Sequence, residues 1–498
     1  MTEAWKAVLV NQFHDILPGS HTAPVAQEAE ESYRQALGAF ESIRAAAQDA
    51  IARSAVTDSQ PGAPYVVFNS LNWRRTGLVR TQLDRPGALS IIDGDGQPVP
   101  SQIVEERDGR RFLLFTARDV PSVGCRTYYV SRAGRSPVSP ACLPKASAHS
   151  LENRFFRIEL NRRGEISRLF DKRSRREVIA DGQTANVFQL FEDKPGVYDA
   201  WDIVINYKDK SWDISGVRRI TAVEEGPVRA GIRIEKEFFN SRLVQTIRAY
   251  ADIPRIDFET WIDWHEHNKL LKVSFPVAVL SRRATYDLSY GSIQRPTHGN
   301  TSWDRAKFEV CGHQWADLSE TDYGVSLLND CKYGWDIEGS RMRLSLLRGP
   351  VRPDPDSDQG EHELTYSLFP HAGGWQEAGT VQEAYSLNSP LSAVRAKRHG
   401  GSLSDRHSFL QVEPADVLVG ALKPAEEGSG YILRLVEVLG GRKQVAVRLD
   451  RGMSQVQECD LLERAERNVP TNAKGFRTWI RPFELKTFRV RVQPTRAR

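Results

Sequence analysis

An imidazole and a carboxylate stand side by side at His14-Asp15, inside the string Asn11-Gln12-Phe13-His14-Asp15-Ile16-Leu17-Pro18-Gly19-Ser20. Paired in this way, the two groups can ligate a divalent metal or hold a hydroxylated ligand. A lone His-Asp pair is more often an ordinary surface feature, so the elements around it must decide. Upstream, Trp5, Val8, Leu9 and Phe13 recur at helical spacing. At about 100° per residue they share one face, and His14 lies roughly 160° from the centre of that stripe. Pro18-Gly19 is the expected stop. The pair is therefore expected at a helix end, turned away from the helix's apolar seam.

Four further stretches are too dense in polar and aromatic residues to read as plain strand. In 192–202, Asp193, Asp199 and Asp202 stand with Tyr198 and Trp201. Carboxylates accept hydrogen bonds from hydroxyls, and aromatic rings cover the C–H face of a pyranose, so this composition suits a sugar. An acidic surface loop is the plainer alternative. The segment 295–304 carries His298 and Asp304 in a loop set by proline and glycine, and 328–336 mixes Asn329, Lys332 and Tyr333 in the same manner. Ordinary surface turns are the alternative for both. The run 354–362 alternates acids but lacks the twelve-residue spacing and closing glutamate of a calcium loop. His265 and His267 would share one face of a strand, where a solvated edge is commoner than a metal site.

The chain has 498 residues, enough for two to four domains. Hydrophobic residues make up 40% and charged residues 27%, the balance of an ordinary globular chain. A net charge of +4 argues for neither nucleic acid nor a membrane surface as partner. Five widely spaced cysteines, with no Cys-x-x-Cys pair, exclude a disulfide framework and a cysteine zinc site. No basic and apolar leader opens the sequence, and no run of about 18 apolar residues interrupts it. The expected location is cytoplasmic.

Residues 1–55 read as a helical pair. Thr22 can cap the second helix, with Pro24 in its first turn and an apolar stripe running from Val25 to Ile51. Two helices make a poor bundle, and a third element is needed to cover the first. After the Pro61-Gly62 linker the hydrophobic period changes from 3.6 to 2. A small β domain is expected at 62–133, with hairpin turns at 93–96 and at Asp108-Gly109, followed by a Pro/Ser/Ala connector from Gly134. A large antiparallel β-sandwich is expected at 148–400, with 254–264 and 269–279 as one of its hairpins, and a last β domain at 401–498. The fold class is mainly β: a short N-terminal helical pair, the remnant of a helical bundle, followed by antiparallel β-sandwich domains.

The ten-residue string around His14 resembles the signature that follows the catalytic barrel in family 38 glycoside hydrolases, the α-mannosidases. Phe68-Asn69-Ser70-Leu71, Glu152-Asn153, Asp171-Lys172, the loop from Asp193 to Asp202, Lys269 to Lys272, the loop from Arg295 to Asp304, Asn329 to Gly334 and Thr365 to His371 resemble that family in the same order. They are most similar to its cytosolic and vacuolar branch. The resemblance implies a retaining, zinc-dependent hydrolysis of terminal α-mannose from oligosaccharides, with a carboxylate nucleophile and a carboxyl acid/base. It implies His14 as one of four zinc ligands, and Asp15, Asp199, Trp201, Asp202, His298 and Asp304 as contacts to the sugar. In the family a β/α barrel precedes the helical bundle and carries the nucleophile and the other three ligands.

The 498 residues begin at the last of these elements. The expectation is a chain without its own nucleophile, inactive alone, with zinc held at only one corner. Its partners would be mannose-containing oligosaccharides and a separate barrel-bearing chain, or a second copy meeting the apolar surface of the first helix. The alternative is a non-catalytic carbohydrate-binding or structural β-sandwich protein.

Overall fold

The computed structural model describes residues 1–83, 89–105, 109–132 and 142–493. The expected turn at Asp108 and most of the connector from Gly134 lie outside these. The chain divides into two compact units, one of residues 1–50, 140–286 and 294–380, the other of 51–139, 287–293 and 381–498. The stretches 62–133 and 401–498, read from sequence as separate domains, thus fall within one unit.

The first unit opens with α1 (Thr2–Val10) and α2 (Ala23–Ser54), which runs on into the second unit. The helix α1 is shorter than its periodicity predicts. Asn11 caps it, and the next amides bond three residues back, Gln12 to Leu9 and Phe13 to Val10. The Tyr33 hydroxyl donates to the Asn11 carbonyl at 3.2 Å and pins that end against α2. His14 therefore sits in a turn, not on the helix. The apolar stripe is not the packing face: Ala4 is buried, whereas Trp5, Leu9 and Phe13 are exposed. Trp5 meets α2 through an edge contact with Phe40, ring centres 5.2 Å apart.

Beyond the helices the first unit is a β-sandwich. A nine-stranded antiparallel sheet includes, side by side, the strands Val217–Glu224, Arg229–Phe238, Ser241–Tyr250, Ile256–Trp264, Gly360–Ala372 and Tyr323–Asn329. A six-stranded sheet includes Ser211–Asp213, Val187–Glu192, Lys269–Pro276, Arg341–Arg348 and Gly334–Glu338 in that order. Ile256, Phe258, Ile262 and Trp264 of the first meet Leu271, Val273 and Phe275 of the second in one core. The hairpin expected of 254–264 and 269–279 is consequently absent. Ile256–Trp264 pairs with Gly360–Ala372, and Lys269–Pro276 with Arg341–Arg348. Both segments alternate because each lays one face on the shared core, and residues 265–268 cross from sheet to sheet.

The second unit has two β cores, one around Val67, Leu113, Phe115 and Tyr128, the other around Val412, Leu435, Val447 and Phe488. The last helix, Thr380–Asn388, has no counterpart in the sequence reading. No helix among the described residues is long and apolar enough to cross a membrane.

Candidate functional site

The strand Val187–Glu192 and the strand Ser211–Asp213 pair with each other, and the chain between them bulges into a loop, 193–204, closed by a 3-10 turn at Ile205–Asp209. This loop carries Tyr198, Trp201 and Asp202. Several anchors fix it. The amide of Asp193 donates to the Asn268 carbonyl at 2.9 Å, and its buried carboxylate pairs with Arg348. The same guanidinium donates to the Asp202 carbonyl. Asp199 accepts from the amides of Val351 and Arg352, each at 2.9 Å, and from the Asn268 side chain at 3.0 Å. With these donors around it, Asp199 is buried and tethers the loop from below rather than lying open at its surface.

The closing turn is held by buried charge. Strand alternation places Gln189, Lys272 and Ser345 in one row on the outer face of the six-stranded sheet. Lys272, with 0% of its side chain exposed, pairs with Glu309 and lies 3.7 Å from Asp336. Arg343 pairs with Asp336 at 2.8 Å, and the Tyr207 hydroxyl lies 3.2 Å from both carboxylates. Burial pushes the Asp336 carboxyl up, but Lys272, Arg343 and Lys208 outweigh it and hold the pKa below its ordinary value. At Asp193 the balance runs the other way. Burial raises its pKa beyond what Arg348 offsets, and Oδ1 has no hydrogen-bond partner among the described residues.

Above these anchors lies an open pocket of about 900 Å³, formed by two segments far apart in sequence. One is the turn after α1 together with the start of α2, supplying Asp15, Ser20, His21 and Thr22; the other is the loop, supplying Tyr198, Trp201 and Asp202. Trp201 is 64% exposed and presents an aromatic face beside two carboxylates, the combination a pyranose requires. One oxygen of Asp15, Oδ1, is sealed from solvent without a hydrogen-bond partner, as a donor missing from the site would leave it.

The remaining predicted residues are distributed differently. His14 is 75% exposed, its Nε2 3.5 Å from Asp15, its ring tilted over Phe13 at 4.4 Å. It neighbours the pocket through Asp15 but does not line it. His298 and Asp304 face each other at 3.7 Å. Asp304 also closes the first turn of a short helix, Ser302–Arg305. Its amide bonds to the Thr301 hydroxyl at 3.1 Å, and that hydroxyl donates back to its carboxylate at 2.9 Å. Neither residue lines the pocket.

A zinc ion held by protein takes three or four ligands. Among the described residues no three His, Cys, Asp or Glu side chains converge in that way. His14 and Asp15 alone therefore do not make a complete site. His265, expected on a strand face, lies beyond the end of Ile256–Trp264 and pairs with Asp263 at 2.8 Å.

The sequence reading missed Arg348, which ties the loop at both ends, and Pro353, which lines the pocket. Their stretch, Arg348-Gly349-Pro350-Val351-Arg352-Pro353, carries only a turn signal. It works through the Arg348 guanidinium and the amides of Val351 and Arg352, whose distant partners composition does not reveal.

Comparison with known proteins bears on this arrangement. The alpha mannosidase middle domain matches residues 1–51, the glycosyl hydrolases family 38 C-terminal domain matches 151–356, and the family 38 C-terminal beta sandwich domain matches 416–488. Alpha-mannosidase 2C1 of Homo sapiens is 34% identical over 98% of this chain and 45% of its own length. Alpha-mannosidase G of Dictyostelium discoideum is 30% identical over 98% of this chain and 48% of its own. The chain thus spans about half the length of these curated relatives. A solved α-mannosidase from Enterococcus faecalis V583 shares the fold, with a TM-score of 0.82 at 18% identity over 98% of this chain and 63% of that one. The chain belongs to glycoside hydrolase family 38, of which it carries the middle domain and the carboxy-terminal β domains.

Proposed function

We propose that this chain forms the carboxy-terminal half of a retaining, zinc-dependent α-mannosidase that removes terminal α-mannose from oligosaccharides in the cytoplasm. The single observation that carries this reading is the pocket in which Asp15 meets Tyr198, Trp201 and Asp202. Two segments about 180 residues apart in sequence, each resembling its counterpart in the family, converge on one cavity of sugar-binding composition.

Within it the indole of Trp201 covers one face of a mannose ring, and the carboxylates of Asp15 and Asp202 accept from its hydroxyls. Asp193, Asp199 and Arg348 hold the loop at its working height and leave little to be ordered on binding. His14 presents an exposed imidazole beside the pocket as one ligand of a zinc site whose other ligands would lie outside these 498 residues. The metal, when bound, would fix the sugar's hydroxyls by Lewis acidity.

The nucleophile and acid/base are not assigned to any carboxylate here. The pure 498-residue chain should therefore turn over no aryl α-mannoside, with or without added zinc. Turnover abolished by a chelator and restored by zinc would overturn the assignment of nucleophile and ligands to another segment. Calorimetry tests the sugar site separately: mannose binding should fall when Trp201 or Asp202 is replaced by alanine. The alternative, a non-catalytic carbohydrate-binding protein, predicts metal-independent mannose binding that survives His14→Ala.

A further inference from the structure

A second pocket, of different composition, lies in the second unit. Its last β core is faced by a four-stranded sheet containing, in order, Leu410–Glu413, Lys443–Leu449, Gly475–Ile480 and Thr471–Asn472. Alternation sends Val412, Val445, Val447 and Phe476 into that core. The residues between them, Gln411, Gln444, Ala446, Arg448, Arg477 and Trp479, stand on the outer face.

That face is neither flat nor neutral. An open pocket of about 910 Å³ lies on it, lined by Gln411, Ala446, Arg448, Arg477 and the hairpin residues Asn472 and Lys474. Ala446 stands opposite Arg477 in register and is too short to cover it. The carboxylate that lines the pocket, Asp450, is occupied by His407 at 3.0 Å. Glu413 is in register with Ala446, two strands and therefore about 10 Å from Arg477. Among the described residues no ion pair holds Arg448, Lys474 or Arg477. Trp479, 59% exposed, sits two residues along the strand from Arg477, a separation of about 7 Å, with Gln444 opposite it.

Three unpaired cations in a cavity select an anion, and guanidinium is suited to the oxygens of a phosphate. An exposed indole one step away on a rigid strand adds a platform for an apolar ring face. The spacing is comparable with the reach from a pyranose ring to a phosphate on its exocyclic oxygen. We propose that this face binds a phosphorylated sugar, its ring on Trp479 and its phosphate between Arg477 and Arg448, with Lys474 and Asn472 at the rim. The site is built without the loop at 193–204 or the turn at His14, and does not depend on the mannosidase reading.

The test is calorimetry on the whole chain with three probes: mannose 6-phosphate, inorganic phosphate and methyl α-mannoside. Mannose 6-phosphate should bind at least about tenfold more tightly than either of the others, and more weakly as salt rises. Arg477→Gln with Arg448→Gln should abolish binding of both phosphates. Trp479→Ala should bring mannose 6-phosphate to the level of inorganic phosphate and leave the latter unchanged. All these positions are on the surface, so thermal melting should match the parent and serves as the check on folding. Equal affinity for phosphate and mannose 6-phosphate, binding that survives the double arginine variant, or no binding at all would each overturn the proposal.

Discussion

Lys272→Met should destabilise the first unit by about 3–5 kcal/mol, the cost of leaving the largely buried Glu309 carboxylate without its cation. Lys272 has no solvent exposure and stands between Glu309 and Asp336. Methionine fills the space but offers no charge; Arg343 still holds Asp336, while Glu309 keeps only hydroxyl partners, Ser345 and Tyr207, among the described residues. The loss should concentrate at the turn 205–209, because Tyr207 hydrogen-bonds to the same two carboxylates. Hydrogen exchange should therefore report faster opening at 203–210 than in the sheet beneath.

The sign of the pH dependence follows from Asp336. Its pKa in the folded chain is held below the ordinary 3.8, so its stabilising contribution is present above that value and lost as pH falls through the folded pKa. In the variant, the pull of Lys272 is gone and burial remains, so protonation relieves the site. The stability gap between parent and variant, measured by urea unfolding, should therefore narrow as pH falls from about 4 through the lowered folded pKa of Asp336. A gap that is small at neutral pH, or constant with pH, would show that the network does not hold the turn.

Stability of the same unit should also rise with pH between about 8 and about 10, through Lys236. This lysine is 1% exposed, its ammonium donating to the Ile214 carbonyl at 2.9 Å. Burial pushes its pKa down from 10.5 to about 8, with Glu165 offsetting part of the effect. Between those values the unfolded chain binds the proton that the folded chain has released, so raising the pH favours folding. The full effect is on the order of 3 kcal/mol. Buried tyrosines oppose it only above their ordinary value of 10: the pKa of Tyr286 and of Tyr323 is raised by burial, so folding holds their protons there. Lys236→Met should flatten the profile below about pH 10, and an unchanged slope in that variant would assign the rise to another group.

The two periodicities were enough to place the helical pair, many of the longer strands and the β class, but not strands such as Val187–Glu192 and Val217–Glu224. Where the reading failed, the cause is specific. The helix α1 was extended past Val10 because Phe13 continues its stripe, whereas the chain tightens into turns that Tyr33 fastens. The segments 254–264 and 269–279 were joined as a hairpin because each alternates and a short connection separates them. Alternation records only which face is buried, and here both faces are buried against each other across the sandwich.

At the site, Asp15, Trp201 and Asp202 were legible from composition and resemblance, and one cavity holds all three. Asp199 was legible as a carboxylate in the right loop, but its three donors come from residues 268, 351 and 352, which no local pattern links to it. His298 and Asp304 lie against each other at the start of a short helix that the sequence reading took for a loop.

The central claim is that the turn at His14 and the loop at Trp201 belong to one mannoside-hydrolysing centre completed by another segment. The most direct measurement joins these 498 residues to the amino-terminal portion of human Alpha-mannosidase 2C1, in place of that protein's own matching half. The fused enzyme should hydrolyse an aryl α-mannoside in a zinc-dependent manner. His14→Ala should lower that activity by at least about a hundredfold, with a corresponding loss of bound zinc. A fused enzyme that folds and works equally well with alanine at position 14 would contradict the account.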